Sequence, residues 1–460
     1  MNRTLKRQCG LSNISTLHMK HPSLILAAGL ACLAMSAQGQ IAFEEYDLDN
    51  GLHVILHQDN STPIVAVSVL YHVGSKNEDL NRTGFAHFFE HLLFEGSENI
   101  GRGEYMKLIQ ANGGTLNANT MQDRTFYYEI LPSNNLELGL WMESERMLHA
   151  KVDQTGVETQ REVVKEEKRM RVDNQPYGSW NSEMFSHAFS EHPYRWAVIG
   201  SMDDLNAAQT EDYVNFYKKF YIPNNATLSI AGDIDPKQAK QWITKYFGDI
   251  ASGEPVVQPN TFEPALTSEV QDTVYDNIQL PAVFTGYRMP GQSHPDAYAL
   301  QMLTTAMSDG PSSRLSMRMV DQDQSALQVV AFPYALEDHG IFITLALVNG
   351  DHSTGELLGT MEEEISSLQN NLLGEREFEK VMNKVEADFI TQNSSVSGIA
   401  ESLANYHVYF KDANLINTEI ERYRSVTRED IQRVAKTYLQ TSNRVVLTYL
   451  PKPSANPSVE

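Results

Sequence analysis

The sequence predicts an α+β protein made of two copies of one domain, and three observations lead there. First, residues 210–233, TEDYVNFYKKFYIPNNATLSIAGD, share their layout with residues 428–451, REDIQRVAKTYLQTSNRVVLTYLP, at a shift of 428 − 210 = 218 positions. Both stretches run from an acidic helix start through an amphipathic helix and a turn holding Asn225 or Asn443 to an apolar strand. Second, each half opens on strand-like stretches, such as residues 65–71 and 282–287, followed by long helical patterns. Third, residues 251–267, ASGEPVVQPNTFEPALT, carry three prolines and no amphipathic period, which reads as a linker. It divides an N-terminal domain over residues 40–250 from a homologous C-terminal domain over residues 268–460.

The chain has 460 residues, 41% hydrophobic and 21% charged, so it has ample apolar material for two cores and is not a low-complexity or disordered sequence. Lys plus Arg number 36 against 59 Asp plus Glu, a formal charge of −23, which argues against nucleic acid and anionic membranes as main partners. Residues 24–35 form an apolar run too short to span a bilayer. Lys20 precedes it, and small residues at Ala37 and Gly39 follow at cleavage-site spacing, so residues 1–39 read as a secretory signal peptide, with Met19 as the more usual start. A lipid anchor on Cys32 fits less well, since Gly29 stands where a leucine is normally wanted. Both cysteines, Cys9 and Cys32, lie in this segment, so the mature chain from Gln40 has no disulfide and depends on packing. Losing Arg3, Lys6, Arg7 and Lys20 leaves 32 − 59 = −27. An exported, acidic, cysteine-free chain with no other apolar run long enough to cross a membrane suits the periplasm of a Gram-negative bacterium.

Residues 84–94, GFAHFFEHLLF, have apolar residues at helical spacing and no Gly or Pro after the first position, so a helix is expected. His87 and His91 are one turn apart on one face, within reach of a single tetrahedral Zn²⁺. Glu90 lies beside that face, placed to hold a water rather than the metal. The order is H-x-x-E-H, the inverted zinc-peptidase signature. Burying two imidazoles and a carboxylate among Phe88, Phe89, Leu92, Leu93 and Phe94 costs several kcal/mol, which a dication would offset. Such a site needs a third protein ligand and an open position. Residues 160–170, QREVVKEEKRM, form another helical stretch in which Glu166 or Glu167, but not both, can face the metal. The other histidines, His53, His72, His187 and His407 among them, show no ligand spacing.

These segments resemble the pitrilysin and insulysin peptidases, the insulinase-like family that includes the mitochondrial processing peptidase, and the resemblance covers nearly all the mature chain. In that family a glutamate ligand follows the inverted motif by about 76 residues in a segment of the form E-R-x-V-I-x-x-E. Arg161, Val163, Val164 and Glu167 match it, and 167 − 91 = 76, which selects Glu167 over Glu166. The segment 113–128, GGTLNANTMQDRTFYY, looks like the family strand that pairs with substrate backbone, with Asn117 and Ala118 where the peptide is contacted. Residues 192–200, HPYRWAVIG, and 221–233 are similar to family segments too. The resemblance implies mostly antiparallel sheets packed by helices, two duplicated domains forming half of a clamshell chamber, and a metalloendopeptidase that hydrolyses unfolded peptides with Glu90 as general base.

Three departures qualify this. Gln160 stands where the family has a glutamate. No inverted motif recurs in the C-terminal half, so one Zn²⁺ per chain is expected. The family's substrate-facing arginine and tyrosine, counted on from Ser313-Arg314-Leu315, fall on Val320 and Leu327, with Arg318 nearby but out of register. The resemblance therefore implies the zinc-bearing subunit of a heterodimer whose partner supplies that pair. A non-catalytic scaffold and a self-sufficient homodimeric peptidase are the alternative readings.

Overall fold

The computed structural model describes residues 40–453; the expected signal peptide, with Cys9 and Cys32, lies outside the described residues. Strands β1 (Glu44–Asp47), β2 (His53–Gln58), β3 (Ile64–Tyr71), β4 (Thr115–Thr120), β5 (Thr125–Pro132) and β6 (Ala226–Gly232) form one sheet in the order β1-β2-β6-β3-β5-β4. Strands β7 (Val270–Asp276), β8 (Ala282–Pro290), β9 (Ala326–Ala335), β10 (His339–Val348) and β11 (Arg444–Pro451) form the second, in the order β7-β11-β8-β10-β9. Helices of the first half include α1 (Phe85–Leu92), α2 (Leu136–Leu148), α3 (Gln154–Lys168), α4 (Trp180–Ala188), α5 (Thr210–Phe220) and α6 (Pro236–Phe247). Those of the second include α7 (Asp296–Ser308), α8 (Thr354–Asn370), α9 (Val396–Asn405) and α10 (Arg428–Tyr438).

The two halves are one fold used twice. α5 and α10 begin and end 218 positions apart, 428 − 210 and 438 − 220. β6 pairs parallel with β2 and antiparallel with β3, and β11 does the same with β7 and β8; all other pairings are antiparallel. The turn before the strand is closed the same way in both. Asn225 Nδ2 donates to the Phe220 carbonyl at 2.9 Å, and Asn443 Nδ2 to the Tyr438 carbonyl at 2.8 Å. An amide that ties off the last turn of a helix satisfies a carbonyl that has no partner within that helix.

The pleat decides which residues enter which core. In β3, Val65, Val67, Val69 and Tyr71 face the apolar cluster shared with α1, α2, α5 and α6, while Leu70 faces the other way. That second face is covered from the other half: Leu70 and Phe126 pack with Ala404 of α9 and Val408. The exchange is reciprocal. Met184, Phe185 and Ala188 of α4 pack on Phe284, Ile341, Ile343, Leu447 and Tyr449 of the second sheet. Gly286 permits the close approach, since a Cβ there would lie 2.3 Å from Met184 Sδ.

A buried charge network also joins the halves. Lys76, fully buried, reaches Asp123 at 3.1 Å, Glu337 at 2.6 Å and Asp338 at 3.2 Å in the β9–β10 turn. Tyr194 donates to Asp123 at 2.6 Å. Residues 251–267 carry no helix or strand but are tied down. Glu263 accepts the backbone N–H of Ser190, Glu191 and His192 and pairs with Arg288 at 2.9 Å.

Candidate metal centre

α1 is held rigidly by its surroundings. Its N-terminus carries Gly84 at φ 92°, the left-handed region that favours glycine, where a Cβ would lie 2.8 Å from the Ile199 carbonyl oxygen. Glu78 accepts the N–H groups of Gly84 at 2.9 Å and Ala86 at 2.8 Å, satisfying two donors of the first turn. Phe85, Phe88, Phe89 and Leu92 bury the opposite face, with Phe85 and Phe88 stacked on Tyr213 at 4.5 and 4.3 Å. Tyr127 donates to the Phe89 carbonyl at 2.8 Å, and Arg146 to the Leu93 carbonyl at 2.8 Å. Arg146 is itself fully buried among the rings of Phe94, Tyr105 and Tyr127, paired with Glu143 at 3.0 Å and with Glu129 at 3.5 Å.

α3 starts on Asp153, which accepts the Gly156 N–H at 2.8 Å. Val157, Arg161 and Val164 form its buried stripe. Arg161 donates to the Ala208 carbonyl at 2.8 Å, which fixes the rotation of the helix. Glu167 is thereby turned to α1. Its Oε2 lies 2.9 Å from His91 Nε2 and 3.7 Å from His87 Nε2, and the two imidazole rings sit 4.9 Å apart. Glu166 points to solvent and pairs with Arg169 at 3.0 Å. Of the two glutamates left open by helical geometry, Glu167 is the one that meets the histidines.

Burial pulls the His87 imidazole down to about 4, and repulsion from His91 adds to this, so the ring is neutral and offers a lone pair near pH 7. His87 Nδ1 is buried with no hydrogen-bond partner, and Glu167 Oε2 is met only by His91 Nε2 at 2.9 Å. Two imidazole nitrogens and a carboxylate oxygen, all within 4.8 Å of one another, make a donor set suited to a dication such as Zn²⁺. A neutral His87 whose Nε2 faces the Glu167 carboxylate at 3.7 Å is an arrangement that a cation between them would stabilise.

Glu90 stands beside this trio, and its Oε2 accepts a 2.7 Å hydrogen bond from Thr120 Oγ1. Burial raises its carboxyl above the usual range, while Thr120 and His91 pull it back. Thr120 ends β4, which pairs only with β5 and leaves its other side as a sheet edge. Asn117 on that strand is exposed, and its Oδ1 accepts the Ala118 N–H at 2.9 Å; Ala118 turns its side chain to the core.

The departures also have places. Gln160 Nε2 donates to Glu95, which pairs with Arg102 at 2.7 Å, so position 160 belongs to a polar contact between α3 and the chain after α1. Val320 packs against the second core, and Leu327 on β9 is exposed. Arg318 pairs with Asp323 at 2.5 Å and Glu363 at 3.5 Å. Sequence reasoning missed Thr120 as the partner of Glu90, and Arg171, whose guanidinium lies 3.0 Å from Glu167 Oε1 one turn further on. The i, i+4 spacing of 167 and 171 was the available signal for Arg171; nothing in the sequence marks Thr120.

Among known proteins, residues 53–201 match the family model described as insulinase (peptidase family M16), and residues 208–385 match that of the peptidase M16 inactive domain. The zinc protease PqqE of Helicobacter pylori is 29% identical over 445 residues, covering 94% of this chain and 100% of that protein. The crystal structure of a protease from Helicobacter pylori superposes with a TM-score of 0.85 at 29% identity, over 89% of this chain and 100% of that one. The periplasmic protease PqqL from Escherichia coli gives a TM-score of 0.73 at 19% identity, over 89% of this chain but 48% of that one, a likeness of fold.

Proposed function

Because the chain belongs to the insulinase family of peptidases, we propose that it is a zinc metalloendopeptidase that cleaves unfolded peptides. The observation that carries this reading is the convergence of His87 Nε2 and His91 Nε2 on Glu167 Oε2, with Glu90 alongside and free of that contact. In this reading His87, His91 and Glu167 are the metal ligands, carried by a domain over residues 40–250 and followed by a homologous domain over residues 268–460 that holds no metal. Zinc bound there supplies Lewis acidity, acidifying water and polarising a carbonyl.

The residues of the chain do the rest. Glu90 takes the proton of the attacking water on its Oε1, since Oε2 is engaged by Thr120, and returns it to the leaving amine. The raised affinity of a buried carboxylate for protons suits that exchange. An extended peptide adds to the open edge of β4, where main-chain hydrogen bonds hold it whatever its side chains, with Asn117 and Ala118 in contact. An incoming strand displaces the Asn117 side chain from the Ala118 N–H.

The hydrocarbon side chains of Val320 and Leu327 cannot donate a hydrogen bond to a developing oxyanion. That supports a second subunit of the same family as the source of the missing donors, the two chains enclosing the chamber. PqqL, whose chain is about twice the matched length, supports pairing of two such halves. Among the described residues no helix is long and apolar enough to cross a membrane. The leader-like residues 1–39 and the acidic charge support action in the periplasm.

The test is zinc content and turnover of a fluorogenic peptide, by the chain alone and with a family partner. Glu90→Gln is expected to keep its zinc and lose about a hundredfold or more in turnover. A fully active Glu90→Gln removes Glu90 as the base, and a wild-type chain that binds no zinc removes the reading altogether.

A further inference from the structure

A second cluster of ligand-type side chains lies far from this centre in the fold, between the outer strands of the first sheet and the turn that follows α9. β1 and β2 pair with Asp47 opposite His53, and Glu45 lies two residues back, so both carboxylates and His53 share one face of the sheet. The chain leaves α9, which covers that face, through residues Tyr406–Phe410, and lays His407 flat on His53. The ring centroids are 3.4 Å apart and the planes 8° from parallel. His53 Nδ1 lies 2.7 Å from Asp47 Oδ1 and His53 Nε2 lies 3.3 Å from Glu45 Oε2.

Proton bookkeeping makes this arrangement informative. A neutral His53 that donates Nδ1–H to Asp47 turns the lone pair of Nε2 on a carboxylate oxygen of Glu45, two acceptors face to face. A cation between them removes the repulsion. A histidine whose far nitrogen is held by a carboxylate while the near one faces other ligands is the usual outer support of a metal site. The ligand atoms of Glu45, His53 and His407 lie within 4.8 Å of one another. The two ring planes are nearly parallel and a nitrogen lone pair lies in its ring plane, so coordination of one ion by both rings requires the rings to turn substantially out of the stack.

We propose that Glu45, His53 and His407 form a second site for a divalent transition cation of the Zn²⁺, Ni²⁺ or Cu²⁺ class, with Asp47 orienting His53. Two imidazoles and one carboxylate suit these ions and not Mg²⁺ or Ca²⁺. The site joins β1 and β2 of the first half to the turn after α9 in the second, so an ion there clips the halves together. It stands independently of the centre at His87, His91 and Glu167, and neither site supplies a residue to the other. The competing arrangement is a protonated His53 bridging Asp47 and Glu45, which excludes a cation.

The test is zinc stoichiometry of the full chain under buffered Zn²⁺, with thermal melting as a second readout. The wild-type chain is expected to take a second equivalent and to melt higher as it fills. His407→Phe, which keeps a ring on His53 but has no donor, is expected to lose that equivalent and that shift. The double variant His87→Gln, His91→Gln is expected to retain it. A wild-type chain that binds a single equivalent, lost in the His87/His91 variant, overturns the second site and leaves the proposed function standing. A single equivalent lost in His407→Phe instead overturns the proposed function and leaves this site. A zinc-edge anomalous map of wild-type crystals needs no variant: a peak among Glu45, His53 and His407 is expected, and its absence in zinc-soaked crystals overturns the proposal.

Discussion

Thr120, the last residue of the edge strand β4, donates a 2.7 Å hydrogen bond from Oγ1 to Oε2 of Glu90 in α1. One contact thus joins the strand proposed to bind substrate backbone to the carboxylate proposed to move the proton. It fixes the Glu90 rotamer and leaves one oxygen free.

Thr120→Val should therefore lower kcat by about tenfold, the equivalent of one hydrogen bond of about 1.5 kcal/mol to a charged group, with zinc content unchanged. Thr120→Ser should restore most of the loss. Steady-state kinetics beside metal analysis decide it; an unimpaired valine variant would separate Thr120 from the chemistry.

Arg171 contacts Glu167 Oε1 at 3.0 Å, holding the oxygen that faces away from the histidines. The guanidinium is 77% exposed, so the pair is worth under about 1 kcal/mol. Arg171→Ala is expected to weaken zinc binding a few-fold, and about fivefold at most, in a competition titration with a chromophoric chelator. The difference from wild type should shrink as salt is added.

The buried Arg146 supports the far end of α1 through the Leu93 carbonyl while balancing Glu129 and Glu143. Arg146→Met leaves those carboxylates without their cation and should cost about 3–5 kcal/mol in urea unfolding. Adding Glu129→Gln to that variant should recover part of the loss. Full stability of the single variant would show that the carboxylates are already neutral.

Glu263 gives a pH dependence of stability. Burial opposes its charge, but the backbone N–H groups of His192, Ser190 and Glu191 hold the carboxyl down to about 2. Its folded value lies below the ordinary 4.5, so the unfolded chain takes up the proton first as pH falls. The stabilisation is present in full above about 4.5 and is lost as pH drops toward 2. Glu263→Gln is expected to be less stable than wild type near neutral pH and to converge with it in acid, as read from unfolding curves across that range.

What the sequence determined by itself is what depends on residues close together in the chain. His87, Glu90 and His91 share a face because a helix repeats every 3.6 residues, whatever surrounds it. The duplication was legible for the same reason: helix, Asn turn and strand recur with one internal spacing, and Asn225 and Asn443 close the same turn. The resemblance to a family added Glu167, which helical geometry alone left level with Glu166. Tertiary structure decided the rest. The polypeptide between two elements imposes no fixed distance on their ends, so nothing in the order of residues places Thr120 on Glu90, His407 on His53, or Lys76 on Glu337 and Asp338. The exchange of α4 and α9 between the halves is of the same kind. Either helix has an apolar stripe that fits a sheet of this fold, and with two such sheets in one chain, only packing of the whole molecule selects which sheet each covers.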